Sequence, residues 1–481
     1  MTTTPTTPTL PDHSTPLGRR ERAAVWRRRL PWKLREYCQF DAGLLKSAIG
    51  LSGVAATGML RLLGKADTAA SWEATLHRGA YSTTADQMIE RRLQRTMQRD
   101  RSRFASFIDN YGEQPSTAAF FRDPRRLLGT RALVLKSPRG QEKGVLALDY
   151  FFVFPLFAKL FDIEAIAERY YLLLEPSWSG YCNFELLCYL AYDFPVFVQT
   201  YEPRDFEFVQ RLSANFVPIP IAANWWVDHR VFRPLADSQR DADVLMIATW
   251  AKFKRHDAVF AALAKVRSRG VKLKTVLVGY PGDMSQNDLW RLARFHGVAD
   301  QLEIFERVSA EEVNQQLNRV KVNVVWSRRE GVNRAIIEGM FANTPCILRR
   351  GFNYGYEYPY LNDHTGRFAT EATLPETLLH FTRESPTYSP RAWIEEYLGP
   401  EIATRIVDEQ IGRYAAAHGA PWTPGQLEVK TTLLDGMSYW DETKRAKFVS
   451  DYAFLESMLR SGVASERRFG EEPSPGNISA S

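Results

Sequence analysis

Cysteine is scarce in this chain: four occur among 481 residues, Cys38, Cys182, Cys188 and Cys346. None stands in a metal-ligand spacing, and three sit in the apolar or aromatic surroundings typical of buried thiols. A disulfide framework and a zinc centre are therefore not expected, and a reducing, cytoplasmic compartment is. Long apolar runs are missing too. No stretch of about 18 consecutive apolar residues occurs, which argues against a spanning helix. The opening MTTTPTTPTLPDHSTP lacks the charged-then-apolar order of a secretory signal and reads as a disordered tail. Net charge is small, +6, so no strongly polyanionic partner is demanded by composition.

What is present is a large globular chain. Hydrophobic residues make up 45% and aromatic residues 12%, which excludes a mainly disordered protein, and the length calls for two lobes with accessory segments. The positive excess is concentrated near one end, in Arg19, Arg20, Arg22, Arg27, Arg28, Arg29, Lys33 and Arg35 against Glu21. Residues 42–65 then form an amphipathic helix. Leu44, Leu45, Ile49, Leu51, Met59, Leu60, Leu62 and Leu63 share one arc, with Lys46, Ser47, Gly50, Gly53, Thr57, Arg61 and Lys65 opposite. Two destinations for the apolar arc fit equally: an anionic membrane surface, engaged through residues 17–65, or the protein's own core. A second helix over residues 86–111 sets Ile89, Leu93, Met97, Phe104, Phe107 and Ile108 against Arg91, Arg92, Arg95, Arg99 and Arg103. Without aromatic interleaving or a recognition motif, that arginine face reads as solvated surface, and no nucleic acid is expected.

After residue 129 short apolar runs alternate with helical stretches, the pattern of parallel sheets wrapped by helices. Strands are expected at 132–135, 145–149, 170–174 and 196–199, with helices at 183–192 and 204–213. Residues 217–234 carry Pro218, Pro220, Pro234 and the Trp225-Trp226 pair, and read as a crossing between lobes. The alternation resumes with strands at 244–247, 275–278, 302–305, 322–325 and 346–348 and helices at 257–269, 286–295, 310–317 and 333–341. The expected fold is α/β, two Rossmann-like doubly wound lobes facing a cleft, where ligands of such folds sit. The expected division is 1–130 tail and helical extension, 131–225 acceptor lobe, 226–385 donor lobe, and 386–481 helical segment with a polar tail from residue 465.

The chemistry concentrates in EGVNRAIIE, residues 330–338. On one continuous helix Glu330 and Glu338 would lie about 80° apart. Because Gly331 follows Glu330, the first glutamate belongs on the loop after the strand and the second on the helix, with Val332, Asn333 and Arg334 at its start. Free N–H groups and the positive dipole end there suit a diphosphate.

The run VNVVWSRREGVNRAIIEGMFANTPCIL, followed by NDHTG at 362–366, resembles the donor half of retaining glycosyltransferases of the glycogen-synthase-like group, family 4, which have the GT-B fold. VDHRVFRP (227–234), KRHDAVFAAL (254–263) and VLVG (276–279) resemble further family segments, in the expected order. The resemblance spans about 227–369. It implies a nucleotide-diphospho-sugar, UDP- or GDP-linked, as donor substrate and no separate cofactor. Glu338 would then meet the ribose, Glu330 the donor sugar, and Lys254 the departing diphosphate, with Lys252 and Arg255 as helpers and Gly331, Val332, Asn333, Arg334 and Gly279 around the donor.

This chain departs from the pattern in two places. Where members carry a Gly-Arg pair before the lysine it has Ala248 and Thr249, and no histidine lies between His77 and His229 to serve from the first lobe. No Asp-x-Asp with suitable flanks is present there either, so a metal-independent transfer is implied. On the acceptor side, Trp178 and Tyr181 are candidate platforms, packing being the alternative, and Asp149 is a candidate contact. The expected activity is hexosyl transfer to a glycan or lipid-linked acceptor. A nucleotide-sugar epimerase of the same fold and a non-catalytic binding module are the alternatives.

Overall fold

The apolar runs of the first lobe become strands. In the computed structural model, which describes residues 17–383, 388–433 and 435–460, β1 (Ala132–Lys136), β2 (Gly144–Asp149), β3 (Tyr170–Glu175), β4 (Val196–Gln199) and β5 (Phe216–Ile219) form one sheet in that spatial order. β1 runs antiparallel to β2 and the others are parallel. Every residue of β1 to β4 is buried, as strands covered on both faces must be.

The second lobe holds β6 (Val244–Ile247), β7 (Thr275–Gly279), β8 (Leu302–Glu306), β9 (Val322–Val325), β10 (Cys346–Arg349) and β11 (Gly366–Ala369), all parallel, in the order β11-β10-β9-β6-β7-β8. Strand order reverses between β6 and β9. Connections leaving those two strands diverge to opposite faces and open a crevice at their carboxyl ends. The two lobes together make the expected GT-B architecture.

The structure differs from the sequence expectation in four places. Residues 216–219 form β5 instead of beginning the crossing; Pro218 is tolerated because β5 is an edge strand, paired only with β4. The expected helix 86–111 divides into α4 (Thr83–Arg99) and α5 (Ser102–Asp109), because Asp100 turns its carboxylate back to the Ser102 N–H (3.1 Å) and interrupts the ladder. Residues 183–192 hold one α-turn, Phe184–Leu187, followed by a 3₁₀ turn, Cys188–Ala191. The C-terminal section also contains a hairpin, β12 (Lys430–Leu433) with β13 (Gly436–Tyr439), signalled by Thr431, Thr432 and the Asp435-Gly436 pair. The tails expected at 1–16 and from 465 onward lie outside the described residues.

The C-terminal section returns to the first lobe. Tyr439 donates to the Val134 carbonyl (2.7 Å), Lys136 Nζ to the Thr423 carbonyl (2.8 Å), and buried Lys430 pairs with Glu175 (2.6 Å). At the other end, α1 (Arg19–Phe40) lies against the second lobe, while α2 (Leu44–Leu62) packs on α3 (Ala66–Gly79) and α4.

Candidate functional site

The carboxyl ends of β6 and β9 carry the two residues singled out by motif. After β6 the chain passes through a 3₁₀ turn, Lys252–Lys254, and a left-handed Arg255 (φ 64°) into the helix His256–Arg267. After β9 it runs through Ser327 and Glu330 to the helix Arg334–Phe341. Lys254 Nζ meets Glu330 Oε2 at 2.6 Å, with side chains 14% and 7% exposed. Asn333 Nδ2 donates to the same oxygen (2.8 Å), and Ser327 Oγ bonds Glu330 Oε1. Asn333 Oδ1 is buried without a hydrogen-bond partner among the described residues. Such an acceptor next to a fixed carboxylate fits two neighbouring ligand hydroxyls, one donating to each.

Glu338 lies on the helix behind this group, buried, with Arg334 Nε as donor at 3.3 Å. Burial raises its pKa, and the nearby Arg334 only partly offsets that. His256, the first residue of the helix that follows Lys254 and Arg255, is also buried, and both ring nitrogens lack partners among the described residues. Burial, reinforced by the Lys254 charge, lowers its pKa to about 3, so the imidazole is neutral.

The first lobe closes directly on Glu330 and Gly331. Ser179 Oγ donates to the Glu330 carbonyl, and Trp178 forms a backbone bridge with Gly331. From the second lobe, Asn353 Oδ1 accepts the Glu330 N–H (2.9 Å), while Asn353 Nδ2 reaches Glu202 of the first lobe (3.2 Å). Tyr358 donates to the same Glu202 oxygen at 2.7 Å. Glu202 is fully buried, and that burial lifts its pKa to about 7. Asn353 holds a positive φ of 41°, a backbone state its residue type tolerates and no motif announced.

Several expected site residues are placed otherwise. Arg255 is 3% exposed and pairs with Glu36 of α1 (2.5 Å) and with Glu371, so it is withdrawn from the Lys254 side. Lys252 is half-exposed and engages Asp283 at 3.2 Å. Gly279 ends β7 where a Cβ would fall 2.0 Å from the Ala248 carbonyl; it serves strand packing. Tyr181 is buried and donates to the Gln199 carbonyl (2.8 Å), which rules it out as a platform. Asp149 is likewise enclosed, paired with Arg131 (2.8 Å), and burial raises its pKa to about 7, so it does not face the cleft. Trp178 is exposed and sits 6.2 Å from the exposed Phe253 ring of the opposite lobe.

Helix α1 braces both site loops from outside. Glu36 binds Arg255 after β6 and Arg328 after β9 (2.9 Å), Asp41 also holds Arg328, and Arg29 and Lys33 pair with Asp257 at 2.8 and 3.0 Å. No local pattern hints at this brace, since its partners are more than two hundred residues apart.

Residues 241–364 match the family profile described as "Glycosyl transferases group 1". Most of the second lobe, β6 to β10 with the intervening helices, therefore falls within the match to the group 1 glycosyltransferase family. Similar solved structures include sucrose-phosphate synthase from Thermosynechococcus elongatus, with 16% identity, 56% of this chain and 73% of that one covered, and a TM-score of 0.45. The pneumococcal O-GlcNAc transferase GtfA in complex with UDP and GlcNAc gives 15%, 55%, 54% and 0.40. Anabaena HepE in complex with UDP-glucose gives 12%, 55%, 76% and 0.41. The chain thus spans about half the length of GtfA. No curated protein matches the sequence.

Proposed function

We propose that the protein is a retaining hexosyltransferase that moves a sugar from a UDP- or GDP-linked donor to a glycan or lipid-linked acceptor in the cytoplasm. The observation that carries this reading is the buried Glu330–Asn333–Lys254 cluster at the strand-order reversal, with Glu338 behind it. A diphosphate arriving at the start of helix Arg334–Phe341 draws Lys254 away from Glu330. The freed Glu330 oxygen and the unpartnered Asn333 Oδ1 then accept hydroxyls of the donor sugar, and the Glu338 carboxylate accepts from the ribose.

In the transfer, the bond between the anomeric carbon and the phosphate oxygen breaks, and its electron pair stays on that oxygen. Lys254 and the free N–H groups of the helix start stabilise the growing negative charge, the part a metal ion would otherwise take. The acceptor oxygen bonds the anomeric carbon on the face the phosphate leaves, and its proton passes to the leaving phosphate. Configuration is retained.

The test is a thermal-shift screen of nucleotide sugars on wild type and Glu338→Gln, followed by transfer assays with Lys254→Ala. Stabilisation by one donor, weakened in Glu338→Gln, and a turnover loss of about 10²-fold or more in Lys254→Ala are expected. A chain that binds no nucleotide sugar refutes the reading. A changed sugar formed without any acceptor identifies an epimerase instead.

A further inference from the structure

Helix α2 is amphipathic and turns its large apolar residues away from the fold. Of the two destinations open to its apolar arc, the core is not the one taken, for the small and polar side packs inward: Gly50, Val54 and Thr57 are buried against α3 and α4. A Cβ on Gly50 would lie 2.8 Å from Tyr81 Cβ, and one on Gly53 2.7 Å from the Leu76 side chain, so small residues are what allow the helices to approach. Polar contacts fix the orientation. Arg92 donates to the Val54 carbonyl (3.0 Å) and to Thr57 (2.9 Å), and Arg61 pairs with Glu73 at 2.5 Å. Lys46 also turns inward, where burial lowers its pKa.

The apolar arc is consequently left in the open. Leu44 is 90% exposed, Leu62 89% and Met59 66%, with Leu45, Leu51 and Leu63 exposed beside them. Across the Gly43 corner, α1 continues the pattern with exposed Trp26, Leu30, Leu34 and Tyr37, spaced three to four residues apart on one face. Exposed arginines accompany it: Arg19, Arg20, Arg22, Arg27, Arg28 and Arg35. An outward apolar stripe flanked by cations matches one kind of partner, a bilayer surface with anionic headgroups, where leucines enter the acyl boundary and arginines stay at the phosphates.

We infer that the outward face of α1 and α2 is a docking surface for anionic lipid. No single helix among the described residues is long and apolar enough to cross a membrane. The α1–α2 pair, which meets that test only in combination, is bent by 85°. The arginines of α1 and the packed inner face of α2 hold both helices at the interface instead of within the bilayer. Because the inner face of α1 braces Arg255 and Arg328, the docked surface is tied to the loops bearing Lys254 and Glu330.

The experiment is flotation of the full chain with phosphatidylcholine vesicles, with and without phosphatidylglycerol. Wild type is expected to float with the anionic vesicles and to be released by high salt. Leu44→Glu/Leu51→Glu/Leu62→Glu should lose at least tenfold in partitioning with an unchanged melting temperature, since these side chains contact little of the fold. Arg27→Glu/Arg28→Glu/Arg35→Glu should lose the preference for anionic lipid. Failure of the wild type to float overturns the inference, as does undiminished flotation of both variants. A wild-type dimer in sedimentation that the leucine variant abolishes, without vesicle binding, would assign the surface to a second copy of the chain and overturn it equally.

Discussion

Gly331→Ala isolates the contact between the lobes from the proposed donor site. Gly331 is not among the residues with positive φ, so alanine suits its backbone; the obstacle is the opposite lobe. A Cβ there would fall 1.7 Å from the Ser177 carbonyl oxygen, 2.5 Å from its carbon and 2.6 Å from Trp178 Cα. These are backbone atoms with no rotamer to escape into. Ordinary van der Waals contact begins at 3.4 Å, so the seam must widen by about 1.7 Å. That opening breaks the Trp178–Gly331 bridge and the Ser179 bond to Glu330. Overpacking of this kind costs about 1–3 kcal/mol, and because it falls on the closed arrangement alone, turnover should drop roughly 5- to 150-fold. Lys254, Glu330, Asn333 and Glu338 all belong to the second lobe, so nucleotide affinity by calorimetry should stay within about threefold. Adding Ser177→Gly should not rescue, because the clash is with a carbonyl. Wild-type turnover in Gly331→Ala, with unchanged hydrogen-exchange protection at 177–179, would refute the reasoning.

Three further outcomes are expected. Glu36→Gln leaves the buried Arg255 with Glu371 alone and should cost about 3 kcal/mol in urea denaturation while loosening exchange at 252–256 and 327–331; a loss below about 1 kcal/mol would mean that the brace is ornamental. His256 titrates at about 3 in the folded chain against an ordinary 6.5, so between those values the unfolded chain takes up a proton that the folded one refuses. Stability should therefore fall by about 2 kcal/mol from about pH 8 to about pH 5 through this group, and His256→Met should flatten that part of the profile; identical profiles would contradict it. The raised pKa of Glu338 means that its ionised form is lost on acidification earlier than for an ordinary glutamate, so donor affinity measured by calorimetry should weaken as pH falls, and Glu338→Gln should remove that dependence.

Much of the second lobe was legible because its signals are local. The strands from β6 to β10 are short and mainly apolar, broken only by such residues as Glu303 in β8 and Asn323 in β9, each intervening helix repeats on one face, and the order of motifs from Val227 onward is covalent information. Lys254, Glu330 and Asn333 could be named from that order, and the fold brings them within hydrogen-bond reach. Side-chain placement departs from motif order where a residue's partner is remote. Arg255 stands beside Lys254 in sequence, yet Glu36, 219 positions earlier, captures it. Asn353, Glu202 and Ser179 carried no local mark, because they matter only through each other's placement across the seam.

By itself, then, the sequence determined the α/β alternation, the carboxylate–glycine turn before a helix, and the amphipathicity of residues 42–65, since periodicity and turn chemistry are properties of neighbouring residues. The tertiary structure decided which face of that helix is inside. A helical wheel divides large apolar from small and polar residues, but burial follows close approach. Gly50 and Gly53 admit Tyr81 and Leu76 where leucines could not, and Arg61 on that side finds Glu73. Packing partners supplied by distant segments thus turned the leucines outward.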